Sequence, residues 1–142
     1  MVRPALIPCL RYKDAPAAID FLCRAFGFKE HAVYRDDADP KIVVHAQLTL
    51  DDNMIMLGSD RPNETTDLYG WKTVKEAGCI TMCIYAVIDD PDAHAAHAKA
   101  AGAHILRGPY DNQGYPGRAY DVADPEGNVW SFGSYDPFAT HG

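Results

Sequence analysis

No stretch of the chain approaches the ~20 apolar residues needed to cross a bilayer, so no membrane span is expected. Met1 to Pro8 contains one basic residue and too short an apolar run for a secretory signal, which makes the cytoplasm the expected compartment. Cysteine is sparse. Cys9, Cys23, Cys79 and Cys83 show neither C-x-x-C spacing nor the density of a secreted disulfide framework, and their apolar surroundings predict buried, reduced thiols. Positive charge is also short: 13 Lys and Arg stand against 20 Asp and Glu, a formal charge of −7. Such a balance repels phosphate backbones and anionic lipid, so neither nucleic acid nor a membrane is an expected partner. G-x-S-x-G, P-loop and paired-glycine dinucleotide signatures are absent, which removes the α/β-hydrolase, nucleotide triphosphatase and Rossmann readings.

What is present is a repeat. Asn53-Met54-Ile55-Met56-Leu57-Gly58-Ser59 returns 75 positions later as Asn128-Val129-Trp130-Ser131-Phe132-Gly133-Ser134, and the same offset carries Gly27 onto Gly102. The chain's 142 residues fit one compact domain able to bury roughly two-thirds of its unfolded surface. Two similar halves within it should share a sheet and enclose a site. Ala5–Tyr12 reads as a strand, and Asp14 and Pro16 open a helix whose Ile19, Leu22, Cys23 and Phe26 form one stripe ending at Gly27. Strands follow at 28–36, 42–50 and 54–58. The segment from Ser59 to Gly78 has no steady period and reads as a linker. Cys79–Ile88, a helix from Asp90-Pro91 to Ala101-Gly102, and strands at 104–110, 117–123 and 128–134 complete the second copy. The boundaries are therefore module one 5–59, linker 60–78, module two 79–135 and tail 136–142, within a single domain 1–142.

The tandem strand–helix–three-strand order, the closing Asp124-Pro125-Glu126-Gly127-Asn128-Val129-Trp130-Ser131-Phe132, Asp89-Asp90-Pro91-Asp92-Ala93-His94 and Ala101-Gly102-Ala103 together resemble the glyoxalase/bleomycin-resistance/dioxygenase group, the vicinal oxygen chelate superfamily. The resemblance spans almost the whole chain. It implies an α+β fold of two tandem βαβββ modules forming a curved mixed sheet with the helices outside, and often a homodimer. It also implies a divalent metal held by one residue from the first and one from the last strand of each module. Carried onto this chain those positions are Ile7, Met56, Cys83 and Ser131, with Met82 replacing Cys83 if the strand slips by one. One thiol among isoleucine, methionine and serine cannot hold zinc, nickel or iron, so no metal or other cofactor is expected. An apolar, polarizable floor suits a flat or hydrophobic organic molecule.

Alternation along the strands nominates the pocket-facing residues. Met54 joins Met56 and Ser131; Cys9 and Arg11 join Ile7; and Tyr85 joins Cys83. Trp130 falls on the opposite face and is expected in the core. His45 and Gln47 share one face, and the offset pairs His45 with Tyr120, so both could point inward; Asp121 lies opposite Tyr120 and is not expected to orient His45. Trp71, Tyr110 and Tyr115 fall in loops where a rim or flap would lie. His94 and His97, three apart on the second helix, read as packing or surface residues rather than a metal pair. The expected function is small-molecule binding without a metal, in a homodimer. The alternative is a lyase, isomerase or dioxygenase using a relocated metal at His45 and Gln47 or acid/base chemistry from His45 and Tyr85.

Overall fold

The computed structural model describes residues 2–139, so the last residues of the 136–142 tail lie outside them. Module one is β1 (Cys9–Tyr12), α1 (Ala15–Phe26), β2 (Lys29–Arg35), β3 (Val43–Leu50) and β4 (Asn53–Ser59). Two short helices follow, α2 (Glu64–Tyr69) and α3 (Val74–Ala77). Module two is β5 (Ile84–Val87), α4 (Pro91–Ala100), β6 (His104–Asp111), β7 (Arg118–Ala123) and β8 (Val129–Gly133). No helix among the described residues is long and apolar enough to cross a membrane.

Each long helix begins where an aspartate satisfies an orphan backbone donor. Asp14 accepts from the Ala17 N–H at 3.1 Å, and Asp90 from the Ala93 N–H at 3.1 Å. Gly27, at φ 89°, ends α1 in the left-handed conformation, its N–H donating to the Leu22 carbonyl. The linker is more ordered than its weak apolar period predicts. Asn63 accepts from the Thr66 N–H and Thr73 from the Glu76 N–H, and left-handed Gly70 and Gly78 close the two turns. Local capping chemistry outweighs the absence of an apolar stripe.

The α+β architecture of tandem βαβββ modules stands, and its mixed sheet is built in two four-stranded parts. Strands β1-β4-β3-β2 form one sheet and β5-β8-β7-β6 another, and no ladder joins them among the described residues. The edge strands β1 and β5 are also shorter than expected, beginning at Cys9 and Ile84. Pro8 has no N–H to donate and only its carbonyl engages the sheet, accepting from the Met56 N–H at 2.9 Å.

A single buried cluster nevertheless spans both modules. Phe26 of α1 packs edge-on against Phe132 at 4.9 Å between centroids and lies 5.5 Å from Trp130, both on β8. Trp130 is fully buried, as expected. His94 of α4 joins the same cluster. Its Nε2 sits 3.0 Å from the Phe26 carbonyl and its Nδ1 2.5 Å from the Tyr120 hydroxyl. A carbonyl only accepts, so Nε2 carries the proton and Nδ1 accepts from Tyr120. Burial lowers the affinity of this imidazole for a second proton.

The Asp-Pro-Glu-Gly-Asn turn also has a structural role. Asp124, 4% exposed, accepts from the Tyr12 hydroxyl (2.6 Å), Trp130 Nε1 (3.2 Å), the Glu126 and Asn128 N–H groups (3.0 Å each) and Asn128 Nδ2 (3.4 Å). Glu126 accepts from the N–H groups of Lys13 (2.7 Å) and Asp14 (2.9 Å). The motif therefore ties module two to the β1–α1 junction of module one.

Candidate functional site: the inner faces of the two sheets

The side of each sheet opposite the buried cluster carries the residues nominated for chemistry, and strand register arranges them in rows. In the first sheet Cys9, Met56, Gln47 and Ala32 lie side by side across β1, β4, β3 and β2. In the second, Tyr85, Ser131, Asp121 and Arg107 do so across β5, β8, β7 and β6. The first row is neutral and largely apolar; the second carries a phenol, a hydroxyl, a carboxylate and a guanidinium.

This register changes the internal correspondence. Met56 and Ser131 match at an offset of 75; Cys9 matches Tyr85 at 76, and Gln47 matches Asp121 at 74 because the turn from Asp124 to Asn128 is one residue longer than that from Leu50 to Asn53. A shift of one residue exchanges faces. The expectation that Tyr120 shares the inward face of His45 is thereby overturned: Tyr120 is buried against His94, and Asp121 takes the inner face.

On the first sheet, His45 Nε2 lies 3.2 Å from Gln47 Nε2, and its ring stacks on Tyr34 at 6.2 Å. The amide nitrogen donates in this contact, so Nε2 is the accepting ring nitrogen. Met54 and Met56 lie beside them, facing Thr49 and Gln47. Arg11, in register with Gly58, is held down: it pairs with Asp60 at 3.3 Å, donates to the Arg61 carbonyl at 2.9 Å and lies 5.3 Å from the Trp71 ring centroid. Cys9, Arg11 and Trp71, together with Cys79, Met82 and Ile84, line a cavity of about 160 Å³ between the edges β1 and β5. A wider depression of about 510 Å³ lies on the outer side between α1 and β2, where Cys23 borders it, away from both rows.

On the second sheet, Tyr85 lies across Gly133, where a Cβ would sit 2.7 Å from its hydroxyl oxygen. That hydroxyl donates to the Tyr135 carbonyl at 2.7 Å, and burial pushes its phenol up. Tyr115 packs edge-on against Tyr135 at 5.0 Å. Tyr110 belongs to β6 rather than to a loop, and its hydroxyl donates to Asp121 at 3.1 Å.

The structure thus separates the nominated residues. Cys9, Arg11 and Trp71 share the inter-edge cavity; His45, Gln47, Met54 and Met56 share the first inner face; Tyr85, Tyr110 and Ser131 share the second; Tyr115 stands at its rim. Ile7 and Cys83 precede their strands and are exposed. The expected burial of the thiols is corrected as well. Cys9, Cys79 and Cys83 are exposed and Cys23 is half-buried, because Cys9 and Cys79 border the inter-edge cavity and Cys83 lies ahead of β5 rather than in the core. Burial, with Glu30 and Asp20 nearby, pushes the Cys23 thiol up. Two inner-face residues went unrecognised in the sequence, Arg107 and Asp121.

Among the described residues no group of three or more His, Cys, Asp or Glu is placed to hold a metal ion. Ile7, Met56, Cys83 and Ser131 offer one thiol and one hydroxyl to a divalent cation, a donor set that does not fit the superfamily's metal.

The glyoxalase/bleomycin resistance protein/dioxygenase superfamily model matches residues 5–132. The uncharacterized protein Rv0887c of Mycobacterium tuberculosis is 34% identical over 134 residues, 93% of this chain and 75% of that protein. TioX from Micromonospora sp. ML1 superposes with a TM-score of 0.68 at 25% identity, covering 92% of this chain and 98% of TioX. The fosfomycin resistance protein FosX from Listeria monocytogenes superposes with a TM-score of 0.64 at 14% identity over 96% of this chain and 94% of FosX, a likeness of fold.

Proposed function

The chain belongs to the glyoxalase/bleomycin resistance protein/dioxygenase superfamily, and from that premise we propose that it is a small-molecule binding protein working without the superfamily's usual metal. The observation that carries this reading is the chemistry of the strands that would hold the ion. β1 and β4 offer Cys9 and Met56 in register, β5 and β8 offer Tyr85 and Ser131, and the outlying Ile7 and Cys83 add only one thiol. Thioethers are weak ligands for hard and borderline cations and aliphatic groups offer no donor, but both adapt to flat apolar ligands. Met54, Met56 and the Tyr34–His45 stack form such a surface, and the polar row of the second sheet supplies the few directional groups that fix orientation.

Two further properties belong to the proposal. The protein acts as a homodimer, since Tyr34, Tyr85 and Val87 leave apolar inner-face area 59%, 42% and 47% exposed in one copy. It resides in the cytoplasm, where three exposed thiols remain reduced. Isothermal titration against bleomycin-like glycopeptides and hydrophobic heterocycles, before and after treatment with a chelator, tests the reading. Saturable binding that survives chelation supports it; absence of binding across the panel, or binding that vanishes with the metal, overturns it.

A further inference from the structure

Strand β6 does not follow simple alternation, and its two irregularities build a corner. Ile105 pairs with Val122 on the core side; strict alternation would then place Arg107 on the core side and Tyr110 on the inner one. Instead Leu106 is bulged out, so Arg107 pairs with Asp121 on the inner face. A second bulge at Gly108-Pro109 keeps Tyr110, paired with Ala119, on that same face. Glycine is required at the second bulge. Gly108 has φ +88°, and a Cβ there would lie 2.6 Å from the Tyr110 ring and 2.9 Å from the Ala119 carbonyl oxygen.

The corner holds a guanidinium in a set plane. Arg107 lies 3.8 Å from the centroid of the Tyr110 ring, its Nε donates to Asp121 at 3.1 Å, and the Tyr110 hydroxyl donates to the same carboxylate. Ring below and carboxylate behind remove the freedom that an arginine normally loses on binding. Other arginines are more fully occupied. Arg118 is shared by Asp92 and Asp111, and Arg11 is engaged by Asp60 and the Arg61 carbonyl. The hydrogen bond from Arg107 to Asp121 runs through Nε, while the side chain is 67% exposed and meets no second carboxylate among the described residues. Beyond Nε the guanidinium carries four N–H donors on its terminal nitrogens, enough to meet the Tyr110 hydroxyl beside it and still offer a pair to a planar anion. Ser131 adds a hydroxyl in the same row, next to Asp121.

We infer that the bulged corner Arg107–Tyr110–Asp121 is a carboxylate-binding subsite, so that the molecule accepted on the inner face is an organic acid with an apolar body. The inference rests on the proposed small-molecule role and narrows its ligand class. Asp121 is already filled by Arg107 and Tyr110, which argues against a cationic group at this point despite the net negative chain.

Benzoate and benzamide, isosteric and differing in charge, are the probes. Full-length protein is titrated with each while the arginine Nε–Hε resonances are followed by NMR. Benzoate should shift Arg107 saturably and bind about tenfold or more tightly than benzamide. Arg107→Gln should abolish that difference, and the Arg24 and Arg118 resonances should stay still. Tyr110→Leu, which keeps the bulge and removes the ring, should weaken benzoate binding while leaving the fold intact by circular dichroism. Equal response to both probes, equal response of all arginines, or no response of Arg107 to benzoate overturns the subsite. Neutral heterocycles that bind in the calorimetric panel despite such a result would leave the small-molecule role standing, so the two failures are separable.

Discussion

Asp124→Asn changes almost no volume and isolates the value of one buried carboxylate. In the native protein Oδ1 accepts from two backbone N–H groups and Asn128 Nδ2, and Oδ2 accepts from Tyr12 and Trp130. Asparagine keeps one oxygen. Placed at the turn, that oxygen preserves the backbone bonds and presents an NH2 group to two donors. Tyr12 can rotate its hydroxyl and accept, but Trp130 Nε1 is donor-only and is left buried without a partner. An orphaned buried donor costs about 1–3 kcal/mol, and replacing a charge-assisted bond by a neutral one costs about 1 kcal/mol more. The sum is about 3 kcal/mol, which for a domain near this size lowers Tm by roughly 6–12 °C. Tyr12→Phe removes one donor and leaves the other four bonds, so its loss should be smaller, about 1–1.5 kcal/mol. Urea unfolding followed by tryptophan fluorescence measures both. An Asp124→Asn midpoint within about 2 °C of the parent in a thermal scan, or a larger effect from Tyr12→Phe, would refute the assignment of this turn as the clamp between modules.

Stability should also depend on pH through His94. Its folded imidazole is held below the ordinary value, so between the folded and unfolded pKa values the unfolded chain binds more protons; the contribution is complete above about pH 6.5 and declines as pH falls below it. Urea midpoints at pH 7.5 and 5.5 should differ more for the parent than for His94→Gln. Native protein should titrate rapidly with Ellman's reagent at Cys9, Cys79 and Cys83, and Cys23 should react slowly until denaturant is added; four equally slow thiols would contradict the exposed placement. Gly108→Ala forces a side chain into a left-handed, crowded position and should cost about 2 kcal/mol or more in chemical denaturation.

The fold was readable because its signals are local or repetitive. The caps at Asp14 and Asp90, the stripe of Ile19, Leu22 and Phe26, and the twin strands around Met56 and Ser131 each work over a few residues, and their order marked the architecture and its superfamily. The core position of Trp130 followed from simple parity. The second inner face did not. An extra residue in the Asp124–Asn128 turn and two bulges in β6 each shift parity by one, and together they sent Tyr120 to the core and brought Arg107, Tyr110 and Asp121 to one surface. The exposure of Cys9 and Cys79 likewise depended on a cavity between two strand edges, which apolar neighbours in the chain do not reveal.

Chain order alone was therefore enough for the modules, the two long helices and the poor metal-ligand chemistry of Ile7, Met56, Cys83 and Ser131, since these depend on residue type and short-range spacing. Which side chains meet on the second sheet depended on cross-strand register between distant segments, where a one-residue change reverses a face and no local preference records it.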